Sequence, residues 1–197
     1  MEPLPTTSHR HAVQFYSNEQ SLFNTVTGFL SEGIVTGQTA IVIATESHRT
    51  GILAGLGRRF IDVERARRTG DLVVLDAHEL MGTFVVDETP NPELFEYNVG
   101  MVFDQALKVR GRTLIRAYGE IVDVLWKEGR TEAAIKVEIL WNNLAAKYGF
   151  ALLCGYSMGN FYKQADRLEE VCRHHSHVIE PGTKVLAFPA RLTSPGA

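Results

Sequence analysis

"HAVQFYSNEQSLF" occupies residues 11–23, and its reading decides the fold. The apolar run "AVQFY" (12–16) meets a polar turn, and a helical period follows. Leu22, Val26, Phe29, Leu30 and Gly33 share one helix face, with Ser17 and Gln20 spaced as a capping box before it. A strand, a turn and a helix in that order are where many α/β proteins hold phosphate, on the N–H groups of the helix start.

The same unit recurs along the chain. "TAIVIA" (39–44), "DLVVLD" (71–76), "TLIRAY" (113–118) and "FALLCGY" (150–156) are apolar runs rich in Val, Ile and Leu. Continuous runs of this kind mark strands covered on both faces, as in a parallel sheet. Helical periods separate them. Thr45 is placed to cap a helix with Ile52, Leu53, Leu56 and Phe60 inward. A third helix follows "TPNP", with Phe95, Val99, Val102, Phe103 and Ala106 inward and "VRG" as its stop. Residues 120–148 read as two helices broken at "KEGR", the second capped by Thr131 and striped by Ala134, Val137, Trp141, Leu144 and Tyr148. A last helix from about Phe161 sets Phe161, Ala165, Leu168, Cys172 and His175 on one face. Strands alternating with helices predict right-handed crossovers and a three-layer α/β/α sandwich around a mainly parallel sheet. The expected organisation is a flexible start (1–8), one domain (9–180) and a tail (181–197), in which "TKVLAF" reads as a small extra strand.

Composition narrows the function. The 197 residues are 45% hydrophobic and carry a formal charge of −3, so no global basic field points to nucleic acid or an anionic membrane. "MEPLPTTSHRH" has no apolar signal region, and no apolar run approaches the ~20 residues of a membrane span. Cys154 and Cys172 share no CxxC spacing and are expected as free thiols in a reducing cytoplasm. A phosphate loop needs converging glycines and a Lys. "YSNEQSL" has neither, and its Glu19 would repel phosphate at the helix start. No GxGxxG follows a strand, so no cofactor is expected.

"HAVQFYSNEQSLFNTVTGFLSEGIVTGQTAIVIAT" resembles the opening of MEDS domains, the methanogen/methylotroph DcmR sensory family. "RAYGEIVDVLWKEG", "LWNNLA", "LLCGYSM" and "CRHHSHVI" fall where that family's later motifs stand, so the resemblance covers roughly residues 9–180. It implies a RecA/KaiC-like fold without a working phosphate loop, and a sensory role proposed for the family to be binding of small hydrocarbon-derived molecules. It also implies partners, a histidine kinase or a transcription regulator; a homodimer is the form considered for an interaction module.

Ligands of such sheets sit beyond the strands' carboxyl ends. Glu120 follows "TLIRAYG" directly and would receive a ligand hydroxyl or amine, pair with Arg116 or His11, or charge a helix start. Tyr16 would wall an apolar site and offer one hydroxyl, or simply pack in the core, and Tyr118, at the end of "TLIRAY", is a further candidate. His11 matches the family's characteristic N-terminal histidine; with His9 it makes H-x-H, which as a metal site lacks a third ligand. No metal site is therefore expected. Cys154, on the last inner strand, reads as a small inert hydrophobe, and His175 as a packing or capping residue beside solvated His174 and His177. These six residues, His11, Tyr16, Tyr118, Glu120, Cys154 and His175, are the ligand-site candidates. The basic stretch "RRFIDVERARR" (58–68) is interrupted by Asp62 and Glu64 and reads as a solvated helix face. "GYSMG" (155–159) matches GxSxG, but no later βα loop remains to supply an acid and a base. A sensor without catalysis is thus the leading expectation. A ligand-free interaction module on a degenerate ATPase fold and a serine hydrolase using Ser157 are the alternatives.

Overall fold

The computed structural model describes residues 10–110, 114–161 and 165–179. In chain order its elements are β1 (Arg10–Tyr16), α1 (Glu19–Val35), β2 (Thr39–Ala44), α2 (Glu46–Arg58), α3 (Val63–Thr69) and β3 (Leu72–Asp76). Then come α4 (Ala77–Gly82), the hairpin strands β4 (Val85–Val86) and β5 (Thr89–Pro90), α5 (Pro92–Arg110), β6 (Ile115–Gly119) and α6 (Ile121–Lys127). The chain continues with α7 (Thr131–Tyr148), β7 (Ala151–Ser157), a 3-10 turn (Met158–Phe161), α8 (Ala165–Arg173) and β8 (His177–Ile179).

Six strands form one sheet in the order β3-β2-β6-β7-β1-β8. Every pairing within it is parallel. The five apolar runs of the sequence are five of its strands, and every residue of "TAIVIA" is buried. Burial on both faces removes the need for polar alternation, which is why these runs are continuous. One apolar layer joins α1, α2 and α3 to the sheet through Leu22, Val26, Leu30, Ile52, Leu56 and Ala66. The other covers the opposite face with Phe95, Phe103, Leu125, Trp141, Leu144 and Val171, from α5, α6, α7 and α8. This is the three-layer α/β/α sandwich that the alternating pattern predicts.

Several local expectations need correction. Asn18, not Ser17, caps α1, its Oδ1 accepting from the Ser21 N–H at 2.8 Å. Gln20 turns instead to Asn24. Thr45 holds the cap position of α2 without a side-chain cap bond, and Thr131 is the first residue of α7, preceded by Arg130 at the cap. Phe60, read as inward, is 97% exposed with φ 63°. The end of α2 explains it. Phe60 N–H bonds the Gly57 carbonyl and Ile61 N–H the Leu56 carbonyl, the pairing of a Schellman cap with Phe60 in the left-handed position. Ile61 then takes the packing place beside Leu56. Asp62 caps the short α3 that follows. His175 lies beyond α8 rather than on it, and β8 adds an edge strand the apolar pattern does not announce. "TKVLAF", His9 and the two termini lie outside the described residues.

Candidate functional site

The parallel sheet brings the ends of β2, β6, β7 and β1 side by side, and polar side chains gather there. Glu120 extends β6, its N–H bonded to the Ile43 carbonyl of β2. That register sets its carboxylate against the start of α2. Oε1 accepts from Thr45 N–H at 2.5 Å, and Oε2 from Tyr118 OH at 3.0 Å and His48 Nδ1 at 2.5 Å. Tyr118 reaches up across Gly155 of β7, where a Cβ would stand 2.9 Å from the Tyr118 hydroxyl. A side chain at 155 would displace that ring.

A second carboxylate completes the row. Asp123, in the first turn of α6, accepts from Tyr16 OH (2.9 Å), Ser157 N–H (2.9 Å) and Asn160 Nδ2 (2.7 Å), and pairs with Lys127 at 2.7 Å. Phe23 and Tyr16 set their rings edge-on to His48. Glu19, at the start of α1, lies 3.6 Å from His48 Nε2. Glu19 and Lys127 are the solvent-facing members, their side chains 63% and 49% exposed, while Tyr16, His48, Tyr118, Glu120 and Asp123 are buried.

The titration behaviour follows from this packing. Burial alone would raise the Glu120 carboxyl; the hydrogen bond and charge of His48, with Thr45 N–H, outweigh it and hold the group below its ordinary value. Burial likewise opposes the His48 imidazolium, and Glu120 outweighs it, so His48 is raised. Burial and the nearby carboxylates push both tyrosine hydroxyls up, so they remain donors.

The six candidates divide between two places. Tyr16, Tyr118 and Glu120 belong to the row just described. His11, Cys154 and His175 lie on the other face of the sheet, around the fully buried Glu138 of α7. Strand geometry dictates the division. Tyr118 pairs with Leu153 and Gly119 with Cys154, and neighbours along a strand point to opposite faces. Glu120 accordingly pairs with neither His11 nor Arg116, which instead bonds Gln38, Glu32 and the Phe29 carbonyl.

Around Glu138, Tyr156 OH donates to Oε1 at 2.9 Å. Burial opposes the charge, yet His175, His11 and Tyr156 outweigh it and bring the Glu138 carboxyl down to about 2. Burial takes His175 itself down to about 4, so the attraction of an imidazolium there acts only in acid. At neutral pH this imidazole lends Glu138 no positive charge. Burial and Glu138 push the Cys154 thiol well up.

The six candidates leave out Asp123 and Glu138, and also His48, although Thr45–His48 is one of the strand-end segments where function is expected. Glu138 had a signal: it stands one residue after Val137 and three before Trp141, inside the inward stripe of α7. Asp123 had the same signal within "IVDVLW", where every neighbour is apolar. Ser157 shows no strained elbow. It continues β7 in register with Tyr16, and the non-glycine residues of positive φ among those described are Phe60, Asp87 and Glu88. Asp123 engages its N–H rather than orienting an imidazole toward its hydroxyl.

The family model for the MEthanogen/methylotroph, DcmR Sensory (MEDS) domain matches residues 10–176. No curated protein matches the chain. Among the described residues, no helix is long and apolar enough to cross a membrane.

Proposed function

The chain belongs to the MEDS family of sensory domains, and on that premise we propose that it is a non-catalytic cytoplasmic sensor of a small organic, hydrocarbon-derived ligand, on a RecA/KaiC-like fold without a working phosphate loop. The observation that carries this reading is the row of buried polar groups, Tyr16, His48, Tyr118, Glu120 and Asp123, at the strands' carboxyl ends. That is the ligand-binding edge of an open parallel sheet. Glu19 stands at the helix start where a phosphate would otherwise sit.

A ligand with a hydroxyl or carboxyl group exchanges for Glu19 at His48 Nε2, and its apolar part rests on Phe23 and Tyr16. Moving Glu19 loosens the first turn of α1, and a histidine kinase or transcription regulator reads that change. The shift can be no larger than the ligand's differential affinity for the two states.

Thermal unfolding with a panel of short-chain alcohols, carboxylates and haloalkanes tests the site. A ligand at a hundredfold excess over its Kd stabilises by about 2.7 kcal/mol, about 5–10 °C for a domain of this size. Glu120→Ala should abolish the rise, and Glu19→Ala, which removes the competing carboxylate, should lower the concentration needed. A panel without effect on the wild type, or an unchanged response in both variants, would sink the reading.

A second reading, the ligand-free interaction module, is favoured by the saturation of Glu120 and by the exposed row Leu94, Tyr97 and Met101 on α5. Under it, Tyr97→Ser changes the oligomeric state or partner capture, and the panel changes nothing.

A further inference from the structure

Four side chains from four parts of the fold converge on the face of the sheet opposite Glu120. His11 comes from β1, Glu138 from α7, Cys154 from β7 and His175 from the link between α8 and β8. Their donor atoms all lie within 4.8 Å of one another. His11 Nε2 is 3.2 Å from Cys154 Sγ and 3.3 Å from Glu138 Oε2. Glu138 Oε2 is 3.4 Å from His175 Nε2 and 3.7 Å from Cys154 Sγ. Bonds of about 2.0–2.3 Å to a tetrahedral zinc ion place its ligand atoms roughly 3.3–3.7 Å apart, with pairs involving sulfur the longest. These four of the six separations run from 3.2 to 3.7 Å, nearly the same interval, with the imidazole–sulfur pair shorter than in a filled site.

The outer hydrogen bonds decide which atoms face inward. His175 Nδ1 lies 2.7 Å from the Val171 carbonyl, an acceptor only, so Nδ1 carries the proton. Asn142 donates its amide to the His174 carbonyl and presents Oδ1 to His11 Nδ1 at 2.9 Å, so that nitrogen also donates. With both Nδ1 atoms engaged outward, the Nε2 atoms of His11 and His175 face the same carboxylate oxygen. The single thiol proton of Cys154 can serve one acceptor, and His175 Nε2 is buried with no hydrogen-bond partner. A ligating histidine characteristically has its other ring nitrogen fixed by just such a carbonyl or amide.

We propose that His11, Glu138, Cys154 and His175 form a buried tetrahedral site for a divalent transition metal of zinc's class. On binding, the Cys154 S–H bond breaks, its proton passes to solvent and a sulfur–metal bond forms. The 2+ ion then faces one thiolate and one carboxylate, and the site is neutral, the state that burial favours. The ion also ties the chain's late segment to its core. Ser176, next to His175, already bonds the backbone of His11 at both N–H and carbonyl. The site is independent of the ligand row, and its test does not involve that row.

The full chain, purified with a tag other than polyhistidine and under reducing conditions, is weighed by native mass spectrometry. It is then stripped by a chelator in mild denaturant and refolded with Co(II) alone. The expected result is one metal per chain. Co(II) should give the intense visible bands of a tetrahedral ion and a near-ultraviolet thiolate-to-cobalt band, which Cys154→Ser removes. Asn142→Ala, which frees the His11 ring, should weaken metal affinity about 10–100-fold. Should a variant fail to fold, the wild-type cobalt spectrum decides. A wild-type protein that is metal-free as isolated and takes up no cobalt, or shows only the faint spectrum of an octahedral ion, would overturn the proposal.

Discussion

Glu120 and Glu138 are both buried carboxylates, and their surroundings are different in kind. Glu120 meets donors on every side: a backbone N–H, a tyrosine hydroxyl and an imidazole whose pKa its charge and hydrogen bond raise. Glu138 meets the Tyr156 hydroxyl and the Cys154 thiol as donors, with the Nε2 atoms of His11 and His175 beside it. A carboxylate answered by donors is a finished network that rigidifies the fold. A carboxylate set beside two ring nitrogens and a thiol brings together the ligand types of a transition metal.

The contrast can be broken most forcefully at Glu138. Glu138→Ala leaves the buried Tyr156 hydroxyl without its acceptor and should cost about 1–3 kcal/mol. Urea unfolding measures it; a loss below about 1 kcal/mol would mean that Glu138 is not held by its neighbours as described.

The pH dependence of stability sharpens the other side. Glu120 is lowered from 4.5, so its contribution is complete above that value and fades as pH falls through the lowered one. His48 is raised from 6.5, so its contribution is complete below 6.5 and fades as pH rises through the raised value. The pair stabilises most between those two ordinary values. The urea midpoint of the wild type should therefore decline above pH 6.5, and His48→Gln should lose that decline; superimposable profiles would separate His48 from Glu120.

The smallest effect is local. Asn18→Ala removes the α1 cap next to Glu19 and should cost about 1 kcal/mol, read as a lower urea midpoint. Ser17→Ala should be neutral, since Ser17 does not make the cap bond; the reverse ranking would restore the capping box read from sequence.

Much of the fold was legible because its signals are local. "TAIVIA" and "FALLCGY" announce strands buried on both faces, and Ala134, Val137, Trp141 and Leu144 announce the inner side of α7. Glu120 was legible as a site residue because it directly follows an inner strand. Phe60 was misread because a helix period says nothing of where a Schellman cap will end it. His175 was placed on a helix that stops at Arg173.

By itself, the sequence determined the alternation of strands and helices, the parallel sheet they require and the residues available for chemistry, since periodicity and residue type need only neighbours along the chain. Which of those residues meet was decided by strand order and register. His11 and Glu120, both candidates for one site, face opposite sides of the sheet, because side chains along a strand alternate and His11 points with Cys154 rather than with Tyr118. His11 and His175, 164 positions apart by number (175 less 11), put their rings 4.1 Å from each other. No local pattern encodes that contact, which exists only because β8 pairs with β1 and carries His175 in behind it.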